Sequence, residues 1–179
     1  MVPGETKISN IYLRESHVTS LPDSIGNLLS LTELSLGDNQ LTHIPDSIGN
    51  LVSLTHLEAV FNRLTHLPDT ICELTLLTSL DVRYNQLTRL PLSIGNLVSL
   101  TELSLGHNQL AHLPDSIGNL SSLTYLGVGE NQLTSLPDSI VNLTSLTTLY
   151  IYDNPITSTQ AGKDEVMMMF NLSDLEIVI

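Results

Sequence analysis

The stretch LTELSLGDNQLTHIPDSIGNLVS, Leu31–Ser53, decides how the chain reads, because neighbouring segments repeat its order at steps of 23 residues. Displacing the sequence by that step superposes Leu31, Leu54, Leu77, Leu100, Leu123 and Leu146, and likewise Asn39, Asn62, Asn85, Asn108, Asn131 and Asn154. The shared order is LxxLxLxxNxLxxLPxSIxxLxS. Its second and third leucines are two apart, the period at which side chains share one face of a strand. Residues at the third, fifth, seventh and eighth places are therefore expected on the opposite, outward face. The second half leaves the strand at a proline and offers Asp and Ser ahead of apolar residues three apart. That pattern predicts a capped short helix or 3₁₀ turn.

Working outward, the units start at residues 8, 31, 54, 77, 100, 123 and 146. The first keeps its aliphatic positions but has Ser16 where later units have asparagine, so its turn is expected to be less ordered. Residues 1–7 read as an N-terminal cap, 8–157 as the repeats, and 158–179 as a C-terminal capping helix and closing strand. Val166, Met169 and Phe170 have helical spacing over 159–170. Leu172, Leu175 and Ile177 then restore LxxLxI three residues late. A natural closing strand and an interruption within a longer array both fit this ending.

The asparagine column has a physical cause. Backbone groups that turn inward after a strand lose their ladder partners, and an unpaired buried amide costs about 1 to 3 kcal/mol. A carboxamide carries both donors and an acceptor to meet them. Loss of a central asparagine is expected to cost more than loss of Asn154, whose unit lies near the end of the array.

These motifs resemble the leucine-rich repeat family over roughly residues 8 to 157. The LPxSIGNLxSL segment is similar to the class found in bacterial leucine-rich repeat proteins and in plant and animal Ras-group repeat proteins. It differs from the plant receptor type, whose LxGxIP segment and cysteine caps are missing. The resemblance implies an α/β solenoid with a parallel sheet on its concave face and short helical or 3₁₀ segments on its convex face. It also implies that stacked asparagines close the turns, matched here at Asn39, Asn62, Asn85, Asn108, Asn131 and Asn154, and that partners are recognised on the concave sheet.

Composition narrows the function. Nineteen Asp and Glu against six Lys and Arg give a formal charge of −13, which repels phosphate backbones and anionic lipid. Nucleic acid and membrane surfaces are thus not expected as partners. Aromatic residues make up only 4% and tryptophan is absent, so the core is expected to be aliphatic. The start MVPGETKISN lacks the basic and apolar regions of a secretory signal, and one cysteine cannot form an internal disulfide. Cytoplasmic location is the expectation, with an exported bacterial protein lacking a recognisable signal as the alternative. Of three Asn-x-Ser/Thr patterns, at Asn119, Asn142 and Asn171, the first two follow from the repeat itself.

Repetition also separates fold from function, since positions serving the fold stay constant and outward ones vary. Two outward clusters stand out. Val60, Phe61, Arg83 and Tyr84 lie in neighbouring units, with Glu58, Asp81, Arg63 and His107 around them. Exposed aromatics and arginine ringed by charge have the composition of an interface hot spot. The second cluster is Tyr125, Tyr150 and Tyr152. The competing reading of the first is that Val60 and Phe61 fill a gap left by small Ala59.

Other columns read as structural. Asp23, Asp46, Asp69, Asp115 and Asp138 form a dispersed ladder that suits capping better than a Ca²⁺ site, which needs six to eight converging oxygens. His43, His66 and His112 share a column with Arg89, which would repel a metal. Cys72 replaces a glycine and reads as a packed residue. Neither a phosphate loop nor a catalytic constellation with an implied pocket is present. The expected function is a non-enzymatic, cofactor-free and monomeric scaffold for a protein bearing a basic patch. The alternative is a structural element that self-associates through its terminal sheet edge.

Overall fold

The computed structural model describes residues 7–170 and 175–179. Eight three-residue strands form one open parallel sheet in sequence order: β1 (Asn10–Tyr12), β2 (Glu33–Ser35), β3 (His56–Glu58), β4 (Ser79–Asp81), β5 (Glu102–Ser104), β6 (Tyr125–Gly127), β7 (Thr148–Tyr150) and β8 (Glu176–Val178). The register follows the repeat, pairing Leu34 with Leu57, Leu57 with Leu80, and onward to Leu149 with Ile177. Backbone bonds continue the ladder past each strand, as in Ala59 N–H to Asp81 O and Phe61 N–H to Arg83 O. Leu34 and Leu36 are buried while Glu33 and Ser35, which alternate with them, are only partly covered, as the two-residue period requires. The inward leucines of successive units make one continuous aliphatic core.

Each asparagine closes a turn in the unit before its own. Asn62 Oδ1 accepts the Leu41 N–H at 2.9 Å, and its Nδ2 donates to Leu36 O of that unit at 2.9 Å. The same Nδ2 also reaches Ala59 O and Val60 O in its own unit. This direction corrects the expectation about Ser16. The first turn is held by Asn39, whose Oδ1 accepts from Ser16 N–H and Val18 N–H and whose Nδ2 donates to Leu13 O at 2.6 Å. Asn154, near the end of the array, has the same hydrogen-bond geometry as the others. It keeps the full set, with Leu133 N–H at 2.9 Å and Val128 O at 3.0 Å, and it also forms a capping box with Thr157.

Opposite the sheet, 3₁₀ turns recur at Asp23–Asn27, Asp46–Asn50, Asp69–Glu73, Ile94–Asn96, Asp115–Asn119 and Asp138–Asn142. The aspartates do not cap these turns through side-chain bonds. Where an aspartate is present, proline in extended conformation occupies the capping place and the aspartate is the first residue of the turn. There, in the first turn, negative charge is favoured by the nearby unpaired N–H groups.

Glycine in IGN reflects close stacking. A Cβ at Gly95 would lie 2.1 Å from Ser116 O of the next unit, and one at Gly49 would lie 2.7 Å from Thr70 O. Cys72 is the exception in unit three. Its side chain is buried, and the turn stacked on it starts at Ile94, later than its counterparts.

Past Asn154 the stack ends differently. Thr159 caps helix α1 (Gln160–Met169) by accepting the Gly162 N–H at 3.2 Å, and Val166 and Phe170 cover the last unit's core. This matches the helical spacing read over 159–170. Ile177 keeps the strand register against β7 and Leu175 packs against the core, whereas Leu172 lies outside the described residues. No helix is long and apolar enough to cross a membrane among the described residues.

Candidate binding surface

The outward columns differ in how far they face solvent. Third-place and fifth-place residues emerge directly from the strands, which puts Glu58, Asp81, Tyr125 and Tyr150 on the sheet surface, each partly covered by neighbours. The seventh place is exposed where it carries Arg14 or Arg83 but not where it carries a small or short side chain. Val60 is only 6% exposed, so it packs into the structure and offers no binding surface, contrary to its expected role. Gly37, Gly106 and Gly129 in the same column are also buried.

At the eighth place the backbone turns left-handed in every unit. Asp38, Phe61, Tyr84, His107, Glu130 and Asp153 all have φ between 52° and 55°. Such a conformation costs a non-glycine residue about 1 to 2 kcal/mol. The identical turn aims successive side chains along one line. Phe61 stacks on Tyr84 with ring centroids 4.2 Å apart, and Tyr84 stacks on His107 at 3.9 Å. Stacked pairs contribute about 0.5 to 1.5 kcal/mol each, enough to offset much of the backbone cost. Phe61 remains 46% exposed, so it is not mere filling for the space above Ala59. His107 Nδ1 lies 2.7 Å from Glu130 Oε2, which ties the far end of the column to the next unit.

Charge is arranged around this column. Arg83 forms a two-point pair with Asp81, Nη2 to Oδ2 at 2.7 Å and Nε to Oδ1 at 2.9 Å. That pairing raises the Arg83 pKa further and neutralises its charge locally. Arg14 is similarly held by Asp38 at 2.8 Å. Glu58 accepts from the Ser35 hydroxyl and from Val60 N–H, so this carboxylate helps to hold the third turn as well as facing the surface.

The two clusters separated in the sequence meet across a shallow cleft of about 150 Å³. One side is formed by Arg83, Tyr84 and His107, the other by Tyr125, Tyr150 and Tyr152. Tyr125 and Tyr150 lie 5.6 Å apart, and Tyr150 meets Tyr152 edge-on at 6.4 Å. Glycine makes the cleft possible. A Cβ on Gly129 would fall 2.8 Å from the Tyr152 ring, and one on Gly127 would fall 3.0 Å from the Tyr125 hydroxyl. Desolvation by burial pushes the Tyr125 and Tyr152 hydroxyls above the ordinary tyrosine range, so both are neutral near pH 7. Glycine at outward positions of adjacent units was the sequence signal for this cleft.

Stacked strand–turn units, an unbroken aliphatic core and asparagine-closed turns define a leucine-rich solenoid. The chain belongs to the leucine-rich repeat family, since the model for a leucine-rich repeat region matches residues 10–110 and 94–179. Among solved structures it is similar to a leucine-rich repeat protein of Leptospira interrogans, at 30% identity and TM-score 0.54, covering 96% of this chain and 54% of that one. An internalin of Listeria monocytogenes matches at 28% identity and TM-score 0.65, over 90% of this chain and 51% of its own. A plant peptide hormone receptor, RGFR1, matches at 32% identity and TM-score 0.67, over 82% of this chain and 28% of its own. The chain therefore spans about half the length of the two bacterial proteins and less of the receptor. No curated protein matches it. Leucine-rich repeat proteins are commonly binding scaffolds rather than enzymes.

Proposed function

We propose that this chain is a non-enzymatic recognition module that binds a basic polypeptide segment on its sheet face, acting as a cytoplasmic monomer. The observation that carries this reading is the charge balance of that face. Glu33, Glu58, Glu102, Glu130 and Asp153 emerge on it, while Arg14 and Arg83 are already paired within the chain to Asp38 and Asp81. A cationic partner gains from the carboxylates and displaces no strong pair. Phe61, Tyr84 and the three tyrosines supply the rigid aromatic area that interface hot spots use. The plant receptor similar to this chain was solved in complex with RGF2, which supports a polypeptide as the class of partner.

A peptide array tests the reading. Dodecapeptides rich in Arg and Lys should retain the purified chain, and retention should fall as ionic strength rises. Glutamate-substituted counterparts should retain none. Binding indifferent to salt, or favouring the acidic set, would overturn it.

A further inference from the structure

From the cleft between the two aromatic clusters, we infer that it takes one arginine side chain of the bound segment, seating the guanidinium among Tyr84, Tyr125, Tyr150 and Tyr152. This rests on the preceding reading of the face and assigns one of its contacts. The floor is bare backbone: Gly106 and Gly129 stand where flanking units carry Arg83 and Tyr152, and Gly127 lies between Ser104 and Tyr150 across the sheet. The volume of about 150 Å³ admits a single side chain and not a folded element.

The chemistry of the walls selects a cation. Aromatic faces attract positive charge, and tyrosine oxygens accept hydrogen bonds from N–H donors. Carboxylates adjoin the lining residues. Asp81 stands beside Arg83, Glu130 beside His107, Asp153 follows Tyr152, and Glu102 is the cross-strand neighbour of Tyr125. An anion would find only Arg83 and His107, and both already face a carboxylate at 2.7 Å.

Between the two common cations, guanidinium fits better. It is planar, stacks on aromatic rings and sheds water more readily than ammonium. Its five N–H donors can reach several of the tyrosine oxygens and adjoining carboxylates together.

The test is NMR titration of the full chain with N-acetylarginine methylamide, beside the lysine and citrulline analogues. Citrulline keeps the shape and removes the charge. Amide shifts at Gly106, Gly127 and Gly129 should saturate with the arginine compound at an affinity at least fivefold above either analogue. Gly106→Leu should abolish those shifts. Gly106 has no left-handed φ, and its virtual Cβ stands 3.3 Å from Gly129 O, so the variant fills the cleft with a small local adjustment. Tyr150→Ala, on the opposite wall, should weaken binding at least fivefold and serves if the leucine variant does not fold. Equal shifts with citrulline, or retention of binding in the filled variant, overturn the arginine assignment. If the arginine compound instead moves only residues around Glu33 and Glu58, the basic-partner reading stands and the cleft assignment fails. If neither this compound nor a basic dodecapeptide perturbs any residue of the sheet face, the reading of the face itself is overturned.

Discussion

Replacing Asn85 with leucine should destabilise the fold by about 3 kcal/mol, from one orphaned amide and the loss of buried hydrogen bonds. Asn85 Oδ1 accepts the Leu64 N–H at 2.9 Å, and Leu64 is fully buried. Its Nδ2 donates to Ala59 O, Val82 O and Arg83 O at 2.9, 3.1 and 3.2 Å. Those carbonyls keep other donors, Asn62 Nδ2 for Ala59 O, Asn108 Nδ2 for Val82 O and Phe61 N–H for Arg83 O. The Leu64 amide has no such substitute, so most of the loss is its desolvation. Asn154→Leu should cost about as much, because the same set of side-chain bonds is lost, while its backbone bonds to Thr157 remain. Asn96→Leu, on the exposed convex side, should change stability by less than about 0.5 kcal/mol. Urea denaturation measures the three losses, and amide exchange at Leu64 reports the orphan directly. A loss near the Asn96 control, or unchanged exchange at Leu64, would refute the ladder as the source of the turns' stability.

Gly95→Ala should destabilise by about 1 to 3 kcal/mol, since its Cβ would overlap Ser116 O; a neutral result in a thermal melt would mean the units can slide apart. Burial raises the Cys72 thiol pKa, so thiolate is scarce in the native state. Its alkylation at pH 8 should be slow and should accelerate at least tenfold in urea; equal rates would contradict its buried placement. Phe61→Ala with Tyr84→Ala should weaken binding of a basic peptide by at least about 2 kcal/mol while losing only the modest stability of two ring stacks, whereas unfolding of the variant would return Phe61 to a filling role. Light scattering should give a monomer; a concentration-dependent mass would favour association through the sheet edge.

The period of the leucines was enough to place the strands, because inward and outward residues alternate with no alternative register that buries Leu34, Leu57 and Leu80 together. The asparagine column was equally visible, but not its direction. A column repeating every unit looks the same whether each member serves its own turn or the preceding one, so Ser16 read as a defect and Asn154 as a loose end. Only the hydrogen bonds of the folded stack distinguish these. Val60 differs from the reading for another reason: at the seventh place a long side chain such as Arg83 reaches solvent, whereas the short Val60 is covered and only 6% exposed.

The aromatic column could be read as exposed, yet its two clusters looked separate because tyrosines in units six and seven are distant in sequence from Arg83 and Tyr84. What joins them is missing side chains at Gly106, Gly127 and Gly129. Glycine at an outward place is as informative as an aromatic residue there, since it shows where a neighbouring ring lies down on the sheet.

The central claim is that the sheet face, and not the net charge alone, recruits a basic segment. The direct measurement compares two triple variants that each remove three carboxylates and so take the formal charge from −13 to −10. One carries Glu33→Gln, Glu102→Gln and Asp153→Asn on the sheet side, the other Asp23→Asn, Asp46→Asn and Asp115→Asn on the convex turns. Fluorescence anisotropy with an arginine-rich dodecapeptide should show the first variant bound at least tenfold more weakly than the second. Equal losses would mean that binding follows bulk charge, and a greater loss in the convex variant would place the interface on the wrong side of the solenoid.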